Sequence, residues 1–197
     1  MKFLFFRQIA LATIVGAVCF CSPAANIDFL SEALKISISE ASAEELQSMK
    51  ARVVRVADGD TVTVVEEGKP DCGKKCRHKI RLLGIDAPEM SMPYGQESKV
   101  ALERLIKNAN NKVTVTWRKP DRYKRYVGKL EANGKDLNLE MIKQGMAWYF
   151  ERYKKDVIDK EDQSHYEKAQ QEARKQRIGL WKDSNPMAPW DWRKLKK

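Results

Sequence analysis

Arg52-Val53-Val54-Arg55-Val56-Ala57-Asp58-Gly59-Asp60-Thr61-Val62-Thr63-Val64-Val65 holds two β-branched runs with Asp-Gly between them. β-branched side chains suit a pleated surface, and Asp-Gly between two such runs is a strong hairpin signal. Residues 66–78 follow, with two glycines, a proline, Cys72 and Cys76, and read as a loop. Residues 80–85 (Ile-Arg-Leu-Leu-Gly-Ile) read as a third strand, ended at Asp86-Ala87-Pro88-Glu89, where proline cannot continue a ladder.

Residues 96–108 have helical spacing, with Val100, Ala101, Leu105 and Ile106 on one side. Residues 112–117 alternate as a fourth strand; residues 126–131 form a fifth, turned by Asn133-Gly134. Two helices, over 137–144 and 164–177, are each stopped by a glycine, Gly145 and Gly179. Three strands, a helix, two strands and two helices predict a mainly β protein with helices. The matching architecture is a small five-stranded β-barrel of the oligonucleotide-binding type. A sandwich would want more strands.

The 197 residues suit one domain plus a tail, and 43% apolar residues suffice for a core. Lys and Arg number 37 against 27 Asp and Glu, a formal charge of +10. Four of the bases and five of the acids precede Ala51, so the segment from Ala51 onward carries +11. The excess therefore belongs to the folded part and favours an anionic partner over a mere solubility charge. Only two histidines are present, which excludes a His-rich metal site.

Lys2 and Arg7 precede an apolar run over residues 9–20, and Ser22-Pro23-Ala24-Ala25 offers small residues for cleavage. This is the pattern of a secretory signal peptide over residues 1–25. A lipid anchor on Cys19 or Cys21 is disfavoured, because the bulky Val18 and Phe20 precede them. An uncleaved anchor is the remaining alternative. Residues 26–50 are read as a linker and residues 51–197 as the domain. The protein is expected to be exported, to the periplasm or the medium, without stable membrane association once cleaved, and monomeric. Cys72 and Cys76 form an even pair, and in an oxidising compartment such a pair suggests a disulfide. Its rival is a zinc site from Cys72, Cys76 and His78, which lacks an evident fourth ligand.

Three acids lie at predicted strand ends: Asp60, Asp86 and Glu89. Converging carboxylates suit a hard cation such as Ca²⁺, which prefers several oxygen ligands. Such an ion neutralises and polarises a phosphodiester. The bland alternatives are a turn for Asp60 and a cap for Asp86 and Glu89. Arg81 interrupts an apolar strand, and Arg125 starts another. A guanidinium fork matches phosphate oxygens in bidentate geometry, whereas a surface ion pair would explain either residue more plainly. Among the aromatics interleaved with charge, Tyr123 and Tyr153 are candidate base-stacking groups. The Trp181, Trp190 and Trp192 tail reads as packing.

Val56-Ala57-Asp58-Gly59-Asp60-Thr61, then Arg81-Leu82-Leu83-Gly84-Ile85-Asp86-Ala87-Pro88-Glu89, then Asp121-Arg122-Tyr123-Lys124-Arg125, in this order and spacing, resemble the staphylococcal nuclease (thermonuclease) family. Gly145-Met146-Ala147-Trp148 and Gly179-Leu180-Trp181 are similar to its later helices. Pro189-Trp190-Asp191-Trp192-Arg193 resembles a tail of many bacterial members. The likeness covers roughly residues 51–193.

The resemblance implies a five-stranded barrel with about three helices. It also implies Ca²⁺-dependent, sequence-nonspecific hydrolysis of single- and double-stranded DNA and of RNA, leaving 3′-phosphates. By the same resemblance Asp60, Asp86 and the carbonyl of Ala87 would hold Ca²⁺, and Glu89 would orient or deprotonate the attacking water. Arg81 and Arg125 would hold the phosphate; Tyr123, Lys124 and Tyr153 would face the substrate. Ala87 stands where the best-known member has threonine, and Lys124 where glycine is common. The 90–95 loop is short, and the Cys72/Cys76 loop is an insertion. Glu151, not Tyr153, falls at the direct count for the family's second tyrosine. Non-catalytic relatives typically lack one or more of the acids or arginines, all of which are present here. A binding-only module of the same fold is the alternative.

Overall fold

The structure, a computed structural model, describes residues 45–68, 73, 75–151 and 160–196. The expected leader, most of the expected linker, Cys72 and Tyr153 lie outside the described residues.

The first strand, β1 (Gln47–Val56), begins four residues before the expected domain start, inside the segment read as linker. Met49 is buried there, which gives those residues a place in the core. The N-terminal half of β1 pairs with β5 (Lys112–Pro120) and the C-terminal half with β2 (Thr61–Glu66), both antiparallel. A register shift between Val53 and Arg55 leaves Val54 as an extra residue facing solvent. Such a bulge bends and twists a strand, which lets one strand serve two neighbours around a curved sheet.

Next, β2 pairs with β3 (Arg77–Leu82), and β5 pairs with β6 (Tyr126–Ala132). Parallel pairing of β3 with β6, Ile80 beside Tyr126 and Leu82 beside Gly128, closes a five-stranded barrel. Val62, Val64, Ile80, Leu82, Val115 and Leu130 fill it, each 1% exposed or less. Side chains of this kind contribute roughly 1.5–3 kcal/mol each when fully buried. The α1 helix (Gly95–Lys107) adds Ala101, Leu102 and Ile106 to the same core. A two-residue strand, β7 (Lys135–Asp136), leads into α2 (Leu137–Lys143), which adds Leu137, Met141 and Ile142.

The third predicted strand is not continuous over residues 80–85. It ends at Leu82, and Gly84 takes the left-handed conformation with φ +74°. Glycine adopts that geometry without a Cβ penalty. The chain then leaves the barrel as β4 (Ile85–Asp86), paired with β8 (Trp148–Tyr149). Buried Asn138 binds this corner together: its side-chain amide donates to the carbonyls of Leu83 (2.9 Å) and Gly128 (3.2 Å) and accepts from Leu130 N (3.1 Å).

The α3 helix (Lys160–Lys175) starts four residues earlier than predicted. Its Tyr166 hydroxyl donates to Asp136 (2.7 Å), and Asp162 accepts from Lys129 (3.0 Å), fastening α3 to the barrel. A 3₁₀ turn (Gly179–Lys182) and α4 (Pro189–Leu195), the fourth helix among the described residues, follow. Among the described residues the helices number one more than the three expected, because Pro189 opens a helix in the tryptophan-rich tail. That tail packs as expected: Trp148 meets Trp181 (4.3 Å between rings) and Trp190 (5.5 Å) edge-on, and Trp190 stacks on Phe150 (5.2 Å). Among the described residues no helix is long and apolar enough to cross a membrane.

Candidate active site

Asp60 closes the β1–β2 turn. The Asp58 side chain accepts from Asp60 N (3.1 Å), an Asx turn that shapes the loop. Gly59 is needed for space: a Cβ there would run into Ser98 Oγ and the Ala87 side chain. Ser98 is itself fixed, donating to the Met146 carbonyl at 2.6 Å. Asp60, 5% exposed, accepts from Thr61 Oγ1 (3.0 Å) through Oδ1 and from Ala87 N (2.6 Å) through Oδ2.

Arg81 lies opposite Thr61 in the β2–β3 ladder, on the strand face away from Ile80 and Leu82. Its two terminal nitrogens bridge two acids: Nη1 pairs with Asp60 Oδ1, and Nη2 donates to Asp86 Oδ1 at 2.7 Å. Burial pushes the guanidinium below its ordinary value, and the charges of Asp86 and Asp58 oppose this. The positive charge of Arg125 adds to the lowering, which places Arg125 within electrostatic reach. Arginine remains protonated under such a shift.

The corner at Gly84 and the short β4 strand deliver Asp86, 1% exposed, beside Arg81. Glu89 follows in a turn closed by Met92 N donating to the Glu89 carbonyl (2.8 Å). The start of α1 packs against this turn so closely that a Cβ on Gly95 would strike the Glu89 carbonyl. The short 90–95 segment is thus a pair of turns, with Gly95 N donating to the Met92 carbonyl (3.1 Å).

Arg125 and Tyr123 come from the β5–β6 connection. Asp121 organises it: its carboxylate accepts from the backbone of Tyr123 (2.8 Å) and Arg125 (2.9 Å) and from Arg125 Nε (2.9 Å). Desolvation alone would raise the Asp121 carboxyl, but these hydrogen bonds outweigh it and hold the group below the ordinary carboxylate value. The Arg122 and Arg125 guanidiniums lie 4.8 and 5.3 Å from the centre of the exposed Tyr123 ring. Lys124 takes the left-handed conformation, φ +58°. Lysine therefore preserves here the turn for which glycine is the easier residue.

Asp60, Arg81, Asp86, Ala87 and Glu89 are thus gathered at one rim of the barrel, with Arg125, Tyr123 and Lys124 on the adjoining loop. Cys76 is disulfide-bonded, and its partner lies outside the described residues. Four positions are not legible from the sequence as parts of this site. Asp121 opens its motif without an evident role; an aspartate that can accept from the amides two and four positions on is the local signal for it. Ser98 and Gly95 carry no such signal, because their importance is steric.

The fourth is Arg193, from α4. Nη1 donates to Glu89 Oε1 (2.7 Å) and Asp86 Oδ1 (3.2 Å), and Nη2 to Asp86 Oδ2 (2.5 Å). The bond to Asp86 leads in raising Arg193 above its ordinary value, against desolvation. Asp60 and Asp86 present hard oxygen donors held within the span of one guanidinium, which fits Ca²⁺. No third His, Cys, Asp or Glu completes a metal-holding group among the described residues, so carbonyl, water or phosphate oxygens would supply the other ligands.

Residues 79–183 match the family model described as staphylococcal nuclease homologue. A protein of Haemophilus influenzae named as an uncharacterized endonuclease is 37% identical over 172 residues, 87% of this chain and 88% of that one. One of the same description from Escherichia coli O157:H7 is 40% identical over 146 residues, 74% and 85% of the two chains. The staphylococcal-like nuclease CAN1 of Arabidopsis thaliana is 41% identical over 121 residues, 61% of this chain and 35% of that protein. With the motif residues gathered on a closed five-stranded barrel, the chain belongs to the staphylococcal nuclease family.

Proposed function

We propose that this protein is a Ca²⁺-dependent, sequence-nonspecific nuclease that hydrolyses DNA and RNA, single- or double-stranded, and leaves 3′-phosphate ends. The observation that carries the reading is the Asp60–Arg81–Asp86 bridge with Glu89 beside it. Burying two acids and an arginine at the rim of a barrel contributes little to stability, so the cluster points to a functional role. The net charge of +10 supports a polyanionic substrate.

Calcium, when bound, would neutralise phosphate charge and polarise the phosphoryl oxygen. Asp60, Asp86 and the Ala87 carbonyl are its proposed ligands. Glu89 orients a water and accepts its proton as the water oxygen bonds to phosphorus. The bond from phosphorus to the 5′-oxygen breaks, and the 5′-oxygen leaves with a proton from solvent. Arg81 and Arg125 stabilise the charge that grows on the phosphoryl oxygens, where preorganised donors act most strongly. Tyr123 and Lys124 contact the nucleotide and flanking phosphate. Tyr153 is proposed as a second such contact. We place the protein outside the cytoplasm, as a monomer free of the membrane; the disulfide-bonded Cys76 supports an oxidising compartment. Cys72 is the proposed partner.

The test incubates purified protein with single-stranded DNA, duplex DNA and RNA, with Ca²⁺ or with a chelator, beside a D60A/E89A variant. Cleavage that needs Ca²⁺, vanishes in the variant and leaves 3′-phosphates is the expected result. Salt-sensitive binding without cleavage in any divalent metal would establish a binding-only module instead.

A further inference from the structure

We propose that Arg193 is a tethered stand-in for the cation: it occupies Asp86 and Glu89 until a divalent ion displaces it, and the C-terminal helix α4 is released as the ion enters. This inference rests on the calcium reading above.

Every carboxylate oxygen of Asp60 and Asp86 already has a protein partner. Asp60 Oδ1 accepts from Thr61 and pairs with Arg81, and Asp60 Oδ2 accepts from Ala87 N. Asp86 Oδ1 accepts from Arg81 and Arg193, and Asp86 Oδ2 from Arg193. A cation ligated by both acids therefore competes with a guanidinium for the same oxygens. Arg81 cannot leave readily, because its side chain is 12% exposed and its backbone is laddered on both sides, to β2 and to β6. Arg193 can: its side chain is 43% exposed. Of α4 itself only Pro189 is buried, while Leu195 is largely in solvent.

The tether lies one turn earlier. Trp190 packs on Phe150 and Trp148, and Ala188 belongs to the same apolar cluster as Trp181. Arg193 is thus held near the acids by an anchor that does not itself touch them. Release of its guanidinium leaves the end of the helix held by the exposed Lys196–Ser91 hydrogen bond (2.9 Å), a weak contact, without unfolding the tryptophan cluster. The charges make the exchange reasonable. Asp60, Asp86 and Glu89 face Arg81 and Arg193, so a divalent ion in place of one guanidinium turns a net negative site neutral. By linkage, whatever competes with the ion for these acids lowers its apparent affinity, and the ion in turn loosens the competitor.

The test is calcium titration calorimetry on the purified protein, its R193Q variant and a K194Q control. Lys194 pairs with Asp191 and not with the site, so K194Q removes the same charge without the contact. R193Q is expected to bind Ca²⁺ about tenfold more tightly than the parent, the order of one charge-assisted contact no longer displaced. K194Q should match the parent. Hydrogen exchange of residues 191–196 in the parent should accelerate on adding Ca²⁺, while residues 179–182 stay protected. Equal calcium affinities in parent and R193Q, or a tail whose exchange ignores Ca²⁺, would overturn the inference and leave the nuclease reading standing. Calcium binding by none of the three proteins would overturn both.

Discussion

The carboxylate of Asp60 accepts a hydrogen bond from the backbone amide of Ala87 at 2.6 Å, across 27 residues of sequence. This bond ties the β1–β2 turn to the segment that carries Asp86 and Glu89. Asp60 is therefore a structural brace as well as a proposed ligand. D60N keeps an oxygen for the Ala87 amide but withdraws the charge facing Arg81. It should still fold but melt clearly below the parent, because its amide NH2 can neither accept from Thr61 nor pair with Arg81, and lose at least about a hundredfold in turnover. Thermal melts beside a cleavage assay check this; turnover near the parent's would remove Asp60 from the site.

Arg81 reaches Asp60 and Asp86 with different nitrogens of one planar fork. A lysine carries a single ammonium and cannot reproduce that bridge. R81K keeps the net charge, so a purely electrostatic role would survive it. We expect cleavage to fall by about two orders of magnitude. Salt dependence of substrate binding, measured by anisotropy, should barely change.

Gly95 abuts the Glu89 carbonyl, and no Cβ fits between them. G95A should push the Glu89 turn away from the site. The expected cost is about 1–3 kcal/mol of stability, as for other forced overpacking. Turnover should fall with KM little altered, since Glu89 is proposed to act on water and not to bind nucleic acid. An unchanged melting temperature in G95A would show that the turn relaxes freely.

Asp121 predicts a pH dependence of defined sign. Its carboxyl lies below the ordinary value because the charged form accepts three hydrogen bonds. A depressed acid contributes stability that is complete above its unfolded value and is lost as pH falls through the folded one. The Arg125 loop should therefore stay docked throughout neutral and mildly acidic pH and loosen only below the ordinary carboxylate range. An NMR titration of the Asp121 side chain checks this directly. A midpoint at or above that of a free aspartate would contradict it.

Asn138 is fully buried and serves three backbone groups at the barrel corner. N138A would leave the Leu83 carbonyl and the Leu130 amide without that partner. We expect a loss of about 2–4 kcal/mol, read from denaturant midpoints. A loss below about 0.5 kcal/mol would mean that water replaces the amide.

The hairpin at Asp58-Gly59, the helix at 95–107, the strand alternation and the ordered series of acids and arginines were all legible in the sequence. Each is a local pattern: β-branching, a 3.6-residue period, or a spacing within a few residues. Even there the reasons differed in detail. The sequence explains Gly59 as a turn former, whereas the structure requires it for clearance from Ser98 and Ala87. The break at Gly84 was hidden inside an apolar run, because periodicity cannot show where a strand leaves a barrel.

What the sequence by itself determined was therefore which elements form and which residues carry charge. Only the tertiary structure decided that β3 lies parallel to β6, that β4 leaves the barrel to pair with β8, and that Arg193 returns 107 residues later to Asp86. The physical reason is the range of the forces involved. Backbone preferences and turn chemistry act between near neighbours in the chain. Burial and ion pairing act between neighbours in space, and those are chosen only when the whole core closes.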